Sequence, residues 1–268
     1  SMLRERTRET AIPTLPDGEP GTVVWHREHL RVTDQPAVAA AAAADHVLPV
    51  FVFDPGFYGD SGLACDSRIG FLHECLVDLD AQYRAVAGTG LTLAHGDPID
   101  VLGRFRDAGW EVVTVDTPTG RHGAERDRRA RAECDVTFVD GDGLVRGVER
   151  PRDGWRDHVE AWLAGDHHTW DPEAVDVHGI DTGVTIDGID SAYGIEPTKS
   201  KVPEGGTTRA RRRLADFVER IREYPGSISS PVDARDGTSG LSPHLKFGCL
   251  SVRQVYQYVT ATAPECRG

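Results

Sequence analysis

Val47-Leu48-Pro49-Val50-Phe51-Val52-Phe53-Asp54-Pro55-Gly56 is an apolar run shut off by a turn-forming triplet, and it reads as a strand. Similar segments lie on both sides of it. Thr22-Val23-Val24-Trp25 comes before; Leu91-Thr92-Leu93, Glu111-Val112-Val113-Thr114-Val115 and Val136-Thr137-Phe138-Val139 come after. Helical patterns separate them. Asp34-Gln35-Pro36 opens the helix that holds the alanine run 37–44, with Asp34 as its cap and Pro36 in its first turn. Ile69, Leu72, Leu76 and Leu79 give helical spacing within 66–87. Asp97-Pro98 repeats the cap-plus-proline start for a helix through Phe105, and residues 123–133 form a charged helix. Strand and helix thus alternate over residues 21–140. The pattern predicts an α/β domain with a Rossmann-like, doubly wound parallel sheet of five strands. A ligand is expected at the carboxyl ends of the strands.

The flanks differ in character. Residues 1–20 are polar, carry Pro13, Pro16 and Pro20, and read as a loose N-terminal arm. Residues 141–204 are rich in Gly, Asp and Pro and read as an inter-domain linker with one short helix at 155–164. From 205 to 268 the pattern is helical. Leu214, Phe217, Val218 and Ile221 mark an amphipathic helix over 208–223, Ser242-Pro243 opens a short one, and Ser251-Val252-Arg253-Gln254 is a capping box for the last.

Composition bounds the function. The 268 residues are 39% hydrophobic, enough for a sizeable core, and no stretch approaches the length of a membrane-spanning helix. A cytoplasmic location is the default expectation. Cys65, Cys75, Cys134, Cys249 and Cys266 form no Cys-x-x-Cys pair, so neither a disulfide framework nor a metal site is expected. The net charge is −13, and lysine occurs only at Lys199, Lys201 and Lys246. An Asp-rich, Lys-poor surface suits a halophile, and a high-GC genome that favours Arg over Lys gives the same pattern. Global acidity opposes nucleic-acid binding. Molar salt, however, screens that repulsion within about 3 Å, leaving local charge to decide. Residues 199–223 hold a local surplus of Lys and Arg, which fits either one side of a DNA groove or a solvated helix face. Gly141-Asp142-Gly143 is a weak glycine loop, and Gly237-Thr238-Ser239-Gly240 lacks the spacing of a nucleophile elbow. His167-His168 reads as a solvated pair and His95 as a loop histidine.

Two stretches carry a family resemblance. Trp25, Arg27, Leu30, Arg31 and Asp34 stand where photolyases have Trp-Phe-Arg-x-Asp-Leu-Arg running into Asp-Asn-x-Ala-Leu, with His26 and His29 as departures. Arg27 and Arg31 are expected to hold the first loop by ion pairs. Gly96-Asp97-Pro98 and Glu125-Arg126-Asp127 also match family positions. The sharper match is Pro203-Glu204-Gly205-Gly206, Tyr224 and Thr238-Ser239-Gly240-Leu241-Ser242-Pro243, which resembles the opening of the flavin domain of the DNA photolyase/cryptochrome family.

The resemblance implies a helical FAD-binding domain that continues well past Gly268. Tyr224, Thr238, Ser239, Leu241 and Ser242 would then contact the FAD diphosphate. Independently of it, hydroxyls and backbone N–H groups ahead of a helix suit a phosphate, although Ser242 as a plain helix cap is the simpler reading of that residue alone. The resemblance further implies light-dependent repair of pyrimidine dimers, damaged DNA as partner, and an antenna chromophore on the α/β domain. For a deazaflavin antenna Asp54 and Arg68 are the candidates; a folate fits less well, since Gly120-Arg121-His122-Gly123-Ala124 lacks an acidic contact. No catalytic residue is assigned within the chain. A cryptochrome-like light receptor and a stand-alone nucleotide-binding domain remain open, as does self-association to complete the helical region.

Overall fold

The computed structural model describes residues 1–58, 66–117, 120–141, 152–196, 204–223 and 240–262. Its elements, in chain order, are α1 (Met2–Glu9), β1 (Gly21–His26), α2 (Pro36–Ala41), β2 (His46–Phe53), α3 (Asp66–Ala87), β3 (Thr92–His95), α4 (Pro98–Asp107), β4 (Glu111–Asp116), α5 (Arg121–Cys134), β5 (Thr137–Asp140), α6 (Arg152–Ala164), β6 (Asp176–Val177), α7 (Ile186–Tyr193), α8 (Thr207–Glu223), α9 (Ser242–Lys246) and α10 (Val252–Thr262). The strands are parallel in the order β3-β2-β1-β4-β5, with β6 added beside the start of β2. The strand order reverses between β1 and β4.

Both faces of the sheet are covered, which explains the unbroken apolar run of β2. Leu48, Val50 and Val52 pack on one face with Val23, Trp25 and Val112, under α4 and α5. Val47, Phe51 and Phe53 pack on the other with Val24, Val113 and Val115, under α3 and the helices after residue 186. The alternation is the period of two of a pleated strand. Each fully buried aliphatic or aromatic side chain in these layers contributes roughly 1.5–3 kcal/mol.

Three expectations change. Residues 1–20 are not a loose arm: α1 buries Leu3, the hydroxyl of Thr7 accepts from His95 N at 3.1 Å, and Arg104 donates to the carbonyls of Thr7 and Thr10. Asp34 does not cap α2. Gln35 does, its Oε1 accepting from Ala37 N at 2.7 Å and Val38 N at 3.1 Å. The stretch after residue 164 also lies against the sheet, since β6 pairs with β2 and Trp170 Nε1 donates to Val32 O at 2.9 Å.

Asp34 is used elsewhere. It takes a left-handed φ of 47° and accepts from Arg253 Nη2 at 2.5 Å, Ser251 Oγ at 2.6 Å and His168 N at 2.8 Å. Burial alone would raise its pKa, but these hydrogen bonds, led by Arg253, hold its carboxyl below the usual range. The contact clamps α10 to the first loop of the α/β unit. Beside it, Leu30 N donates to Phe247 O at 3.0 Å and Arg31 Nη1 to Gly248 O at 2.9 Å. Position 248 requires glycine: φ is +68°, and a Cβ there would sit 2.4 Å from the Cα of His29. Asp78 and Glu74 of α3 accept from the backbone at 204–207, fixing the start of α8. The helical region is thereby seated on the α/β unit.

Candidate functional site

The strand-order reversal leaves a cleft at the carboxyl ends of β1, β2 and β4, the place expected for a ligand in such a sheet. It encloses about 810 Å³ of empty space, counted to its open mouth. Phe51, Phe53, Phe57 and Tyr58 supply apolar walls, and His26, Arg27, Glu28, Asp54 and Arg126 supply polar atoms. Phe247, from the helical region, closes one side. The seam at Asp34 and Gly248 therefore positions part of the cleft wall.

The polar residues are held from below. Arg27 pairs with Asp127 at 2.7 Å, both nearly buried, and also donates to Val115 O at 2.8 Å. This ties the end of β1 to α5 across the reversal. Burial lowers the pKa of Arg27, and Asp127 opposes that. Arg31, expected in an ion pair, donates instead to the carbonyls of Thr33, Asp34 and Gly248. Glu28 is pushed up by burial, against the pull of Arg27, Lys246 and Arg126. His26 falls to about 3 because it is buried, so its imidazole is neutral, with Nε2 2.6 Å from the Tyr83 hydroxyl. Arg126 Nε and His26 Nδ1 are buried with no hydrogen-bond partner among the described residues. An aromatic-walled cleft with two unsatisfied polar atoms is suited to a planar heteroaromatic ligand.

The residues singled out from sequence fall in different places. Asp54 lines the cleft, and its Oδ1 also accepts from Gly56 N at 2.9 Å in the turn that ends β2. Arg68 is exposed in the first turn of α3 and is not among the cleft residues. Leu241 is wholly buried, and Ser242 is the first residue of α9 while Leu241 stands at its N-cap position. Tyr224, Thr238 and Ser239 lie outside the described residues. His95 is a strand residue, bonded through Nε2 to the Tyr193 hydroxyl at 2.6 Å. His167-His168 is half-buried, not solvated: His167 bonds Gln257 and His168 N bonds Asp34. The sequence reading missed Tyr58, Glu28 and a lining role for Arg126. Only Arg126 had a signal, inside the Glu125-Arg126-Asp127 match.

Comparison with known proteins agrees with this geometry. Residues 22–146 match the family model described as DNA photolyase. A deoxyribodipyrimidine photo-lyase of Synechococcus sp. is 27% identical over 270 residues, covering 88% of this chain and 53% of that protein. Cryptochrome-1 of Rattus norvegicus is 30% identical, covering 89% of this chain and 45% of that protein. The chain thus spans about half the length of the curated relatives it matches. Among solved structures, the photolyase of Sulfolobus tokodaii, described with two FAD molecules, superposes with a TM-score of 0.67 at 22% identity over 91% of this chain and 56% of that one. That likeness bears on the fold alone. With the parallel sheet, the cleft at its reversal and the matched sequence in accord, the chain belongs to the DNA photolyase/cryptochrome family.

Proposed function

We propose that this chain is the front part of a light-driven flavoprotein that repairs pyrimidine dimers in DNA. In this reading the α/β cleft holds an antenna chromophore, and the segment with Tyr224, Thr238, Ser239, Leu241 and Ser242 begins the FAD site. The carrying observation is the seam. The helical segment that resembles the flavin-domain opening is seated on the α/β unit by a buried ion pair, Asp34 with Arg253, so the two parts form one working unit. When bound, reduced FAD would supply the photo-excited electron that splits the dimer.

The described residues support the antenna reading in the cleft and, at Leu241 and Ser242, the start of the FAD reading. In the cleft the aromatic walls can sandwich a flat ring, Arg126 Nε is an unsatisfied donor, and Asp54 is an acceptor at the rim. At α9, Gly240 takes a left-handed φ of +70°, turning the chain so that Ser242 and the first backbone N–H groups follow it directly. The DNA reading draws on α8, which carries Arg209, Arg211, Arg212, Arg213, Arg220 and Arg222 against Asp216, Glu219 and Glu223. Self-association of the helical region belongs to the same proposal.

A second reading, a cryptochrome-like light receptor without repair activity, is favoured by the likeness to the rat cryptochrome. The test has two stages. The protein is mixed with FAD in molar salt and passed through gel filtration. Flavin absorbance is expected to travel with it, and replacing Ser239 and Ser242 by Ala is expected to weaken binding about tenfold per lost charge-assisted hydrogen bond. A colourless protein sinks the flavin reading. Blue light and dimer-containing DNA then separate repair from reception.

A further inference from the structure

Tyr58 stands in the cleft wall, only 5% exposed, with its hydroxyl 2.8 Å from Nε2 of His73. On the far side of the ring, His73 Nδ1 lies 2.7 Å from Asp190 Oδ1. A carboxylate only accepts, so Nδ1 carries the imidazole proton. Burial lowers the pKa of His73 against the pull of Asp190, which favours the neutral ring with a lone pair on Nε2. Tyr58 must therefore be the donor. The direction of every proton in the chain is fixed, from phenol to imidazole to carboxylate. Exposure rises along it, the side chain of His73 being 6% exposed and that of Asp190 25%.

A second phenol joins the first. Tyr193 stacks on Tyr58, with ring centroids 4.8 Å apart and planes 26° from parallel, and its own hydroxyl is 2.6 Å from Nε2 of His95. Tyr83 and His26 make a similar phenol–imidazole bond at 2.6 Å. Tyr83 is wholly buried, however, and His26 Nδ1 has no hydrogen-bond partner among the described residues. Among the described residues no carboxylate continues that chain.

The geometry points to a proton-coupled redox site at Tyr58, poised to give one electron to a photo-excited aromatic molecule in the cleft. It rests on the reading that the cleft takes a light-absorbing cofactor. In the step, one electron passes from Tyr58 to the excited occupant, and the phenolic proton passes to Nε2 of His73. Tyr58 is left a neutral phenoxyl radical, the occupant holds one extra electron, and the imidazolium of His73 faces Asp190. Tyr193 stacks on the ring that carries the radical. Return of the electron and the proton restores the start.

The test uses the full chain and an external one-electron oxidant, photo-generated ruthenium tris-bipyridine with persulfate, so that no cleft ligand is required. Freeze-quenched samples are read by electron paramagnetic resonance, with ring-deuterated tyrosine to identify the radical. A persistent tyrosyl signal is expected in the wild type and in Tyr83→Phe, and its loss in Tyr58→Phe, which keeps the ring and its stack and is read below its own melting transition, since His73 loses a buried partner. His73→Gln, which cannot take up the proton, is expected to lose the signal as well. A wild type without the signal, or a signal that Tyr58→Phe leaves intact, overturns the proposal. Riboflavin under blue light replaces the oxidant in a parallel arm. A signal with ruthenium but none with riboflavin keeps the tyrosine site and removes the light-absorbing occupant.

Discussion

Asp34 shows how far a residue's role can depart from its local pattern. Its sequence setting is that of a helix cap, yet its carboxylate is bonded to Arg253, Ser251 and the backbone of His168. Arg253 is nearly buried and also lies over the ring of Trp162, 4.7 Å from its centroid. Removing the carboxylate would leave a buried guanidinium without its partner. Asp34→Ala is therefore expected to cost about 3–5 kcal/mol in urea unfolding, the range for breaking one side of a buried pair. A loss below about 1 kcal/mol, the level of an exposed pair, would mean that solvent reaches the site.

Helix α2 shows the same substitution of roles at the level of an element. Its start was legible from Pro36, but the capping atom was not, because Gln is an uncommon cap. Gln35 serves because it is buried and held by a further bond from its Nε2 to His29 O at 3.2 Å. Gln35→Ala is expected to destabilise the protein by about 0.5–2 kcal/mol, the usual worth of a cap. Gln35→Asn, one methylene shorter, is expected to recover part of that loss; equal stability of the wild type and both variants in the same urea titration would remove the cap. α1 is likewise an element whose existence is visible only through its contacts, since it packs little besides Leu3 and Thr7 and is anchored by Arg104 and His95.

Over the whole molecule, buried histidines make the fold acid-sensitive. His26 is pushed by burial from 6.5 to about 3, and burial also lowers His73, His95, His168 and His178. Between pH 6.5 and about 3 the unfolded chain takes a proton on His26 that the folded chain refuses, so acid favours unfolding. Above 6.5 both states leave it neutral and the effect is gone. The free energy of unfolding in urea is expected to be level from pH 7.5 to about 6.5 and to fall from there to pH 5, by at most about 1.4 kcal/mol per pH unit for each such histidine. His26→Asn is expected to flatten that slope, whatever it does to stability at pH 7.5; an unchanged slope would place the acid sensitivity elsewhere. The sequence by itself determined the five alternating strands, the two-faced burial of β2 and the helical character after residue 205, because each is written locally, as an unbroken apolar run or as a period of 3.6 residues. It also carried the family resemblance, which the family-model match over residues 22–146 bears out. Only the tertiary structure decided the cleft wall, the clamp between Asp34 and Arg253 and the chain from Tyr58 through His73 to Asp190. The clamp joins residues 219 positions apart and the His73–Asp190 bond spans 117. Partners so distant leave no period in the chain, and folding alone brings them within a hydrogen bond of each other.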